Sequence, residues 1–362
     1  MARGLVLLTV AGLACGADPQ RPIGTTEWVV ELPDYSSPIT AGPDGGVVLD
    51  VYGGLELLAP DGARAWHVCI PDVEESESDT RPPRFAVTAA GDVVAIEYAN
   101  EGLRVRRYAR ADGRIAWSHV YDTGESIVRA APAVGSDGRI RVLVTGLAQP
   151  VDFGTGPIGG QAGEYSALLD FDLDGELGSA SPVDLDIAWV QVHHALDSVL
   201  VVGSDRGPGW LVELELDGQL RPRQWPDFPP DGARQVVVHE DGEISVLAGG
   251  DIVRLDGERR ERWREMAGAS SLSALSGGRL MASVPEGIAS ESMVTALRLL
   301  GPDGALEAEE LISRGSLRLL PSTPGPDYWL WGEVIFGELD LHDDTAELEG
   351  GPFVVRRSGA GR

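Results

Sequence analysis

The sequence contains no lysine, so all 29 of its basic residues are arginine. That excludes a Schiff-base lysine, a lysine general base and a GxxxxGK phosphate loop. Cysteine occurs only twice, at Cys15 and Cys69. No disulfide framework, CxxC pair or cysteine-rich zinc site can be built from these. Positive charge is scarce against 57 acidic residues, and the formal net charge is −28. Such a surface argues against a nucleic-acid partner, because phosphate binding needs a basic face. There is no HExxH pair and no GxSxG nucleophile elbow. Long apolar runs are also missing. The run at residues 5–14 is too short to span a bilayer as a mature helix, and no other stretch approaches the length needed.

What is present points to a folded, turn-rich chain. Of 362 residues, 43% are hydrophobic and 24% charged, with 47 glycines and 24 prolines. This is globular composition with many tight turns. Residues 1–17 have the layout of a secretory signal peptide: a basic start at Arg3, an apolar stretch, then small residues. Gly12-Leu13-Ala14-Cys15 resembles the bacterial lipoprotein signal, although that family usually has an aliphatic residue where Gly12 stands and a small one where Leu13 stands. The resemblance implies cleavage before Cys15 and lipidation of Cys15, the only site residue the sequence nominates. More than one acyl chain would anchor the chain firmly. Ordinary cleavage after Ala17 is the alternative and gives a secreted or periplasmic protein. Residues 18–24 read as a linker, and 25–362 as a single domain in the cell envelope, expected to be monomeric.

The domain is built from a degenerate repeat. Each unit reads strand, glycine turn, strand, loop, strand, second glycine turn, strand. The first turns recur near Gly45, Gly91, Gly138, Asp197, Gly242, Gly278 and Asp327. The second series recurs at Gly62, Gly113, Gly175, Gly218, Gly257, Gly304 and Gly359. An Asp-Gly pair between β-rich runs supplies the positive φ of a tight hairpin. Four short strands per repeat of about 40–50 residues form a propeller blade. The expected fold is therefore all-β: a seven-bladed β-propeller. The last unit lacks a fourth strand, and Glu27–Leu32 has no unit of its own, so the N-terminal strand is expected to close the ring and remove a bare sheet edge. Trp66 and Trp117, each four residues after a turn glycine, and Trp263, six after its own, are expected to pack adjacent blades.

Two resemblances follow from these residues. Leu57-Leu58-Ala59-Pro60-Asp61-Gly62-Ala63-Arg64-Ala65-Trp66 resembles the pyrroloquinoline-quinone-like propeller repeat. Residues 144–170, through Val151-Asp152-Phe153-Gly154-Thr155-Gly156-Pro157, resemble the bacterial seven-bladed propeller repeat of secreted proteins and lipoproteins. Both imply a propeller, and neither implies an activity. The vicinal cysteines and calcium ligands of the quinone enzymes are missing, so no cofactor is carried over.

No catalytic, cofactor-binding or metal-binding residue is nominated. Asp170-Phe171-Asp172-Leu173-Asp174-Gly175 opens like a calcium loop, but Gly178 and Ser181 stand where its later ligands belong. The alternation with Leu169, Phe171 and Leu173 reads as a strand with one polar face. The six histidines, His67, His119, His193, His194, His239 and His342, form no chelating spacing. The acidic segments 72–79 and 338–349 read as solvated loops. The long loops at 71–83, 146–164, 225–231, 284–291 and 335–351 are all second turns or connections, so they fall on one face. A rigid scaffold with long loops on one face is expected to bind there, with a protein partner, through no cofactor and without catalysis. The alternative is a secreted hydrolase or lyase with a funnel site. Against it, inner-strand segments 86–89 and 272–275 are small or apolar.

Overall fold

The structure is a computed structural model. It describes residues 25–32, 37–42, 45–51, 54–69, 84–99, 102–124, 128–159, 165–183, 189–195, 198–204, 210–215, 222–224, 232–289, 292–313, 316–320, 327–334, 337–341, 345–348 and 351–358. Residues 1–24, which hold Cys15, and the acidic segment 72–79 lie outside these, as do His342, Gly218 and Gly359.

The described residues form antiparallel sheets that follow one another along the chain. Sheet I spans residues 37–69, sheet II 84–121, sheet III 129–183, sheet IV 189–224, sheet V 233–266 and sheet VI 271–313. Sheet VII takes Ser316–Leu319, Tyr328–Val334 and Gly351–Ser358, with Thr25–Glu31 as its outer strand. That strand runs antiparallel to the last, from Thr25 opposite Ser358 to Glu31 opposite Phe353. The only helical element among the described residues is a single 3-10 turn, Ser276–Gly278.

The architecture is an all-β propeller. The expected seven four-stranded blades are corrected to six. Six sheets have four strands, and sheet VI has six. The reason lies in the acidic segment 338–349. It folds as a hairpin, Gly337–Asp340 with Thr345–Leu348, rather than as a loop, and joins the outer strand of sheet VI through Ser313 opposite Asp340. Residues 284–291, also expected as loop, lie mostly in Leu280–Ala289, one arm of a long hairpin with Ser292–Leu300. A bulge between Pro285 and Gly287 leaves Glu286 as the one extra residue in the pairing.

Asp-Gly turns work as the sequence implies, with a second contribution from the aspartate. Gly62, Gly113, Gly175 and Gly304 all have positive φ. Asp61 Oδ1 accepts the N–H of Ala63 at 3.1 Å, and Asp112, Asp137, Asp241 and Asp303 do the same two residues on. The carboxylate thus holds the turn that the glycine permits. Sheet V departs from this: the positive φ falls on Arg259 (66°), not on Gly257.

Each junction between neighbouring sheets is filled with apolar side chains. Tryptophan fastens four of them by one device. Trp66, Trp117 and Trp263 donate their indole N–H to Arg110 O (2.9 Å), Leu173 O (3.0 Å) and Pro302 O (2.9 Å) in the next sheet. Each ring covers a turn glycine, where an added Cβ would lie 2.7–2.9 Å away. Trp28, on the N-terminal strand, repeats this on sheet I, donating to Pro60 O at 2.7 Å over Gly62. The expectation that these tryptophans pack adjacent sheets therefore holds. Arginine reinforces two of the four. Arg356 donates to Pro60 O (2.7 Å) and pairs with Asp327 (2.7 Å). Arg107 pairs with Asp92 and also reaches Leu173 O.

Candidate functional site

In a four-stranded antiparallel sheet the first and third turns share one end. The second turn and the link to the next sheet share the other, here termed the connection face. Among the described residues, the chain builds outward on the connection face. In sheet III the second turn carries a two-stranded ribbon, Val151–Asp152 with Pro157–Ile158. In sheet VI it is the tip of the long hairpin, and in sheet VII it is the hairpin 337–348. The loops at 71–83 and 225–231 lie outside the described residues.

The ribbon is held to the core. Val151, Phe153 and Ile158 are buried in the junction between sheets II and III. Phe153 meets Tyr121 edge-on at 5.1 Å, and Tyr121 stacks on His119, which stacks on Phe171 and neighbours Trp117. This aromatic column fixes the insertion against the outer strand of sheet II, so the loop is preorganised rather than loose.

First strands of adjacent sheets touch one another, as Arg129–Val134 touches both Arg84–Val87 and Trp189–Ala195. Besides Arg84, three arginines lie on these strands: Arg129, Arg234 and Arg318. Arg234 and Arg318 are exposed and Arg129 is half-buried. Arg129 stands at the connection end, opposite Thr145. None is paired with a carboxylate among the described residues, whereas Arg64, Arg106, Arg139, Arg254 and Arg298 all are. Arg318 instead lies 5.7 Å from the centroid of the Trp331 ring. Sequence alone does not single these three out, because segments 86–89 and 272–275 read as small, apolar inner strands. Only the topology places isolated arginines from distant repeats on the same set of strands.

The other candidates do not gather. Asp170 pairs with Arg139 at 3.0 Å, and Asp172 accepts the N–H of Glu176 at 2.8 Å inside a turn. Among the described residues no group of three or more His, Cys, Asp or Glu side chains is placed to hold a metal ion. His67, His119 and His239 stand in sheets I, II and V. His119 Nε2 lies 2.8 Å from Gly175 O. His239 is buried beside Ser245 at 2.9 Å, and burial, then the Arg254 charge, push its pKa down to about 3. It stays neutral at physiological pH. His193 and His194 are successive residues of one strand, opposite Leu200 and Val199.

Asp50, opposite Ser37 near the connection end of sheet I, is a carboxyl that burial pushes up to about 7. The unfolded chain releases this proton near 3.8, and the folded chain holds it until about 7. The folded state therefore binds more protons across that window, and stability falls as pH rises through it. Asp50→Asn abolishes this loss. At pH 8 the variant is expected to be more stable than the parent by on the order of 2–4 kcal/mol, with most of the gain absent at pH 4. Urea denaturation at both pH values checks this, and an equal difference at the two would refute it.

No protein-family model and no curated protein sequence matches the chain. Solved structures match the fold. The Raptor protein of Chaetomium thermophilum aligns with TM-score 0.59 at 9% identity, over 95% of this chain and 29% of that one. BBS1N, solved in complex with ARL6DN, aligns with TM-score 0.56 at 11% identity, over 94% and 99%. The WD40 domain of fission yeast SCAP aligns with TM-score 0.50 at 9% identity, over 94% and 98%. At these identities the likeness is one of fold. The chain is a β-propeller.

Proposed function

We propose that this chain is a non-catalytic propeller that binds a protein partner through its connection face. The observation that carries this reading is the ribbon 151–158, pinned by Tyr121 and Phe153 on the same end as the two extended hairpins. Structured projections from one face of a rigid scaffold suit recognition. The BBS1N neighbour, solved in complex with ARL6DN, supports a propeller of this size acting as a protein-binding module. In this reading the pairing of Thr25–Glu31 with Gly351–Ser358 closes the ring. Export, with Cys15 as the lipidated first residue, belongs to the same proposal. An acyl mass on an N-terminal peptide that begins at Cys15 tests that part.

The binding face is tested by photo-crosslinking in the native host. One crosslinker replaces Thr155, exposed on the ribbon, and another replaces Ala111, exposed on the opposite turn face. Crosslinked protein adducts are expected from residue 155 alone. Adducts from 111 alone, or equally from both, would overturn the assignment.

A further inference from the structure

We propose that Cys69 is a nucleophilic thiol site that exchanges with low-molecular-weight disulfides, with His67 as its base. The site lies on Arg64–Cys69, the outer strand of sheet I, and is independent of the connection-face reading. His67 and Cys69 are two residues apart on a strand, so their side chains share one face of the sheet. Cys69 Sγ lies 3.5 Å from His67 Nε2. On the other side of the imidazole, Nδ1 lies 3.7 Å from Glu56 Oε2. Glu56 stands directly opposite His67 in the strand pairing and is only 4% exposed. Its second oxygen is held by Arg64 Nε at 2.9 Å. The tautomer with its proton on Nδ1, on the side of the Glu56 carboxylate, leaves Nε2 free to accept the thiol proton. Nucleophile, base and orienting acid are thus in sequence.

Access to the sulfur is built in. Cys69 is exposed, and its cross-strand partner is Gly54. No side chain therefore stands directly opposite the thiol on that strand. A Cβ at position 54 would lie 2.3 Å from Val68 O, so the gap cannot be filled by substitution without moving backbone. The described residues contain no second cysteine with which Cys69 could pair.

The step balances without a further reagent. His67 Nε2 takes the thiol proton as Sγ attacks one sulfur of the incoming disulfide. The new S–S bond forms as the old one breaks, and the departing thiolate takes the proton back from His67. Cys69 is oxidised to a mixed disulfide and half of the reagent is reduced to free thiol.

The test uses the full chain with Cys15→Ser, which leaves one thiol, and the neutral aromatic disulfide dithiodipyridine, which the acidic surface does not repel. The native protein at pH 7 is expected to react at least about tenfold faster than the same chain unfolded in urea. His67→Ala is expected to fall to the unfolded rate and to be accelerated by added imidazole, while the native protein is not. Glu56→Gln is expected to be intermediate, and Cys69→Ala inert. His67 is partly exposed, so its removal leaves the fold intact, which circular dichroism confirms. A native rate no faster than the unfolded chain, a His67→Ala variant as fast as the parent, or a variant that imidazole does not rescue would each overturn the proposal.

Discussion

A chain that begins after Leu32 is expected to melt about 7 °C below one that begins at residue 23, at an unfolding entropy of roughly 2.1 cal/mol/K per residue and a cost of roughly 5 kcal/mol. The longer deletion removes a whole ladder, from Thr25 opposite Ser358 to Glu31 opposite Phe353. With it go the Trp28 bond to Pro60 O at 2.7 Å, the ring over Gly62, and buried Leu32, whose N–H reaches Pro352 O at 2.8 Å. Loss of a packed tryptophan and a row of backbone bonds together sets the magnitude. The strand Gly351–Ser358 is left as a bare edge, so the truncated chain is also expected to self-associate. Deleting residues 1–22 removes none of these contacts and should leave the melting temperature unchanged. Scanning calorimetry on the two chains decides it. If they melt together, the N-terminal strand contributes nothing to the domain.

Arg357→Ala is expected to cost about 3–5 kcal/mol. Arg357 in sheet VII and Glu310 in sheet VI are both fully buried and pair at 2.7 Å. Removing Arg357 takes a charge-assisted bond from a carboxylate that stays buried. The double variant Arg357→Met with Glu310→Leu should recover most of the loss, because an apolar pair of similar volume needs no solvation. Urea denaturation of the parent, the single and the double variant separates the cases. A single variant within about 1 kcal/mol of the parent would show that the pair is not buried in solution. The neighbouring Arg356 turns the other way, to Pro60 O in sheet I. Two consecutive residues of one strand therefore fasten sheet VII on both sides.

The turns and the strands beside them were legible because local chemistry decides them. An aspartate that caps its own turn and a glycine that takes positive φ need no tertiary context. Trp66, Trp117 and Trp263 were legible for their spacing, and Trp28 for standing on a strand without a unit. Segments 284–291 and 338–349 were not. Pro285, Glu286 and Gly287 resemble a loop, and only pairing with Ser292–Leu300 turns them into a bulged strand. The acidic hairpin has poor β-propensity and becomes strand through its pairing, including its contact with Ser313. The positive φ at Arg259 shows a turn whose glycine misleads. The arginines of the first strands, and Glu56 behind His67, become neighbours of their sites only through topology and register. A residue-by-residue reading has no access to either.

The pairing of Thr25 with Ser358 also fixes a direction. Gly351 lies at the connection end of its strand and Ser358 at the opposite end, so Thr25 stands on the turn face. The ribbon 151–158 and both long hairpins stand at the other end of the sheets, so the two chain ends of sheet VII and the projecting elements occupy opposite faces of the propeller.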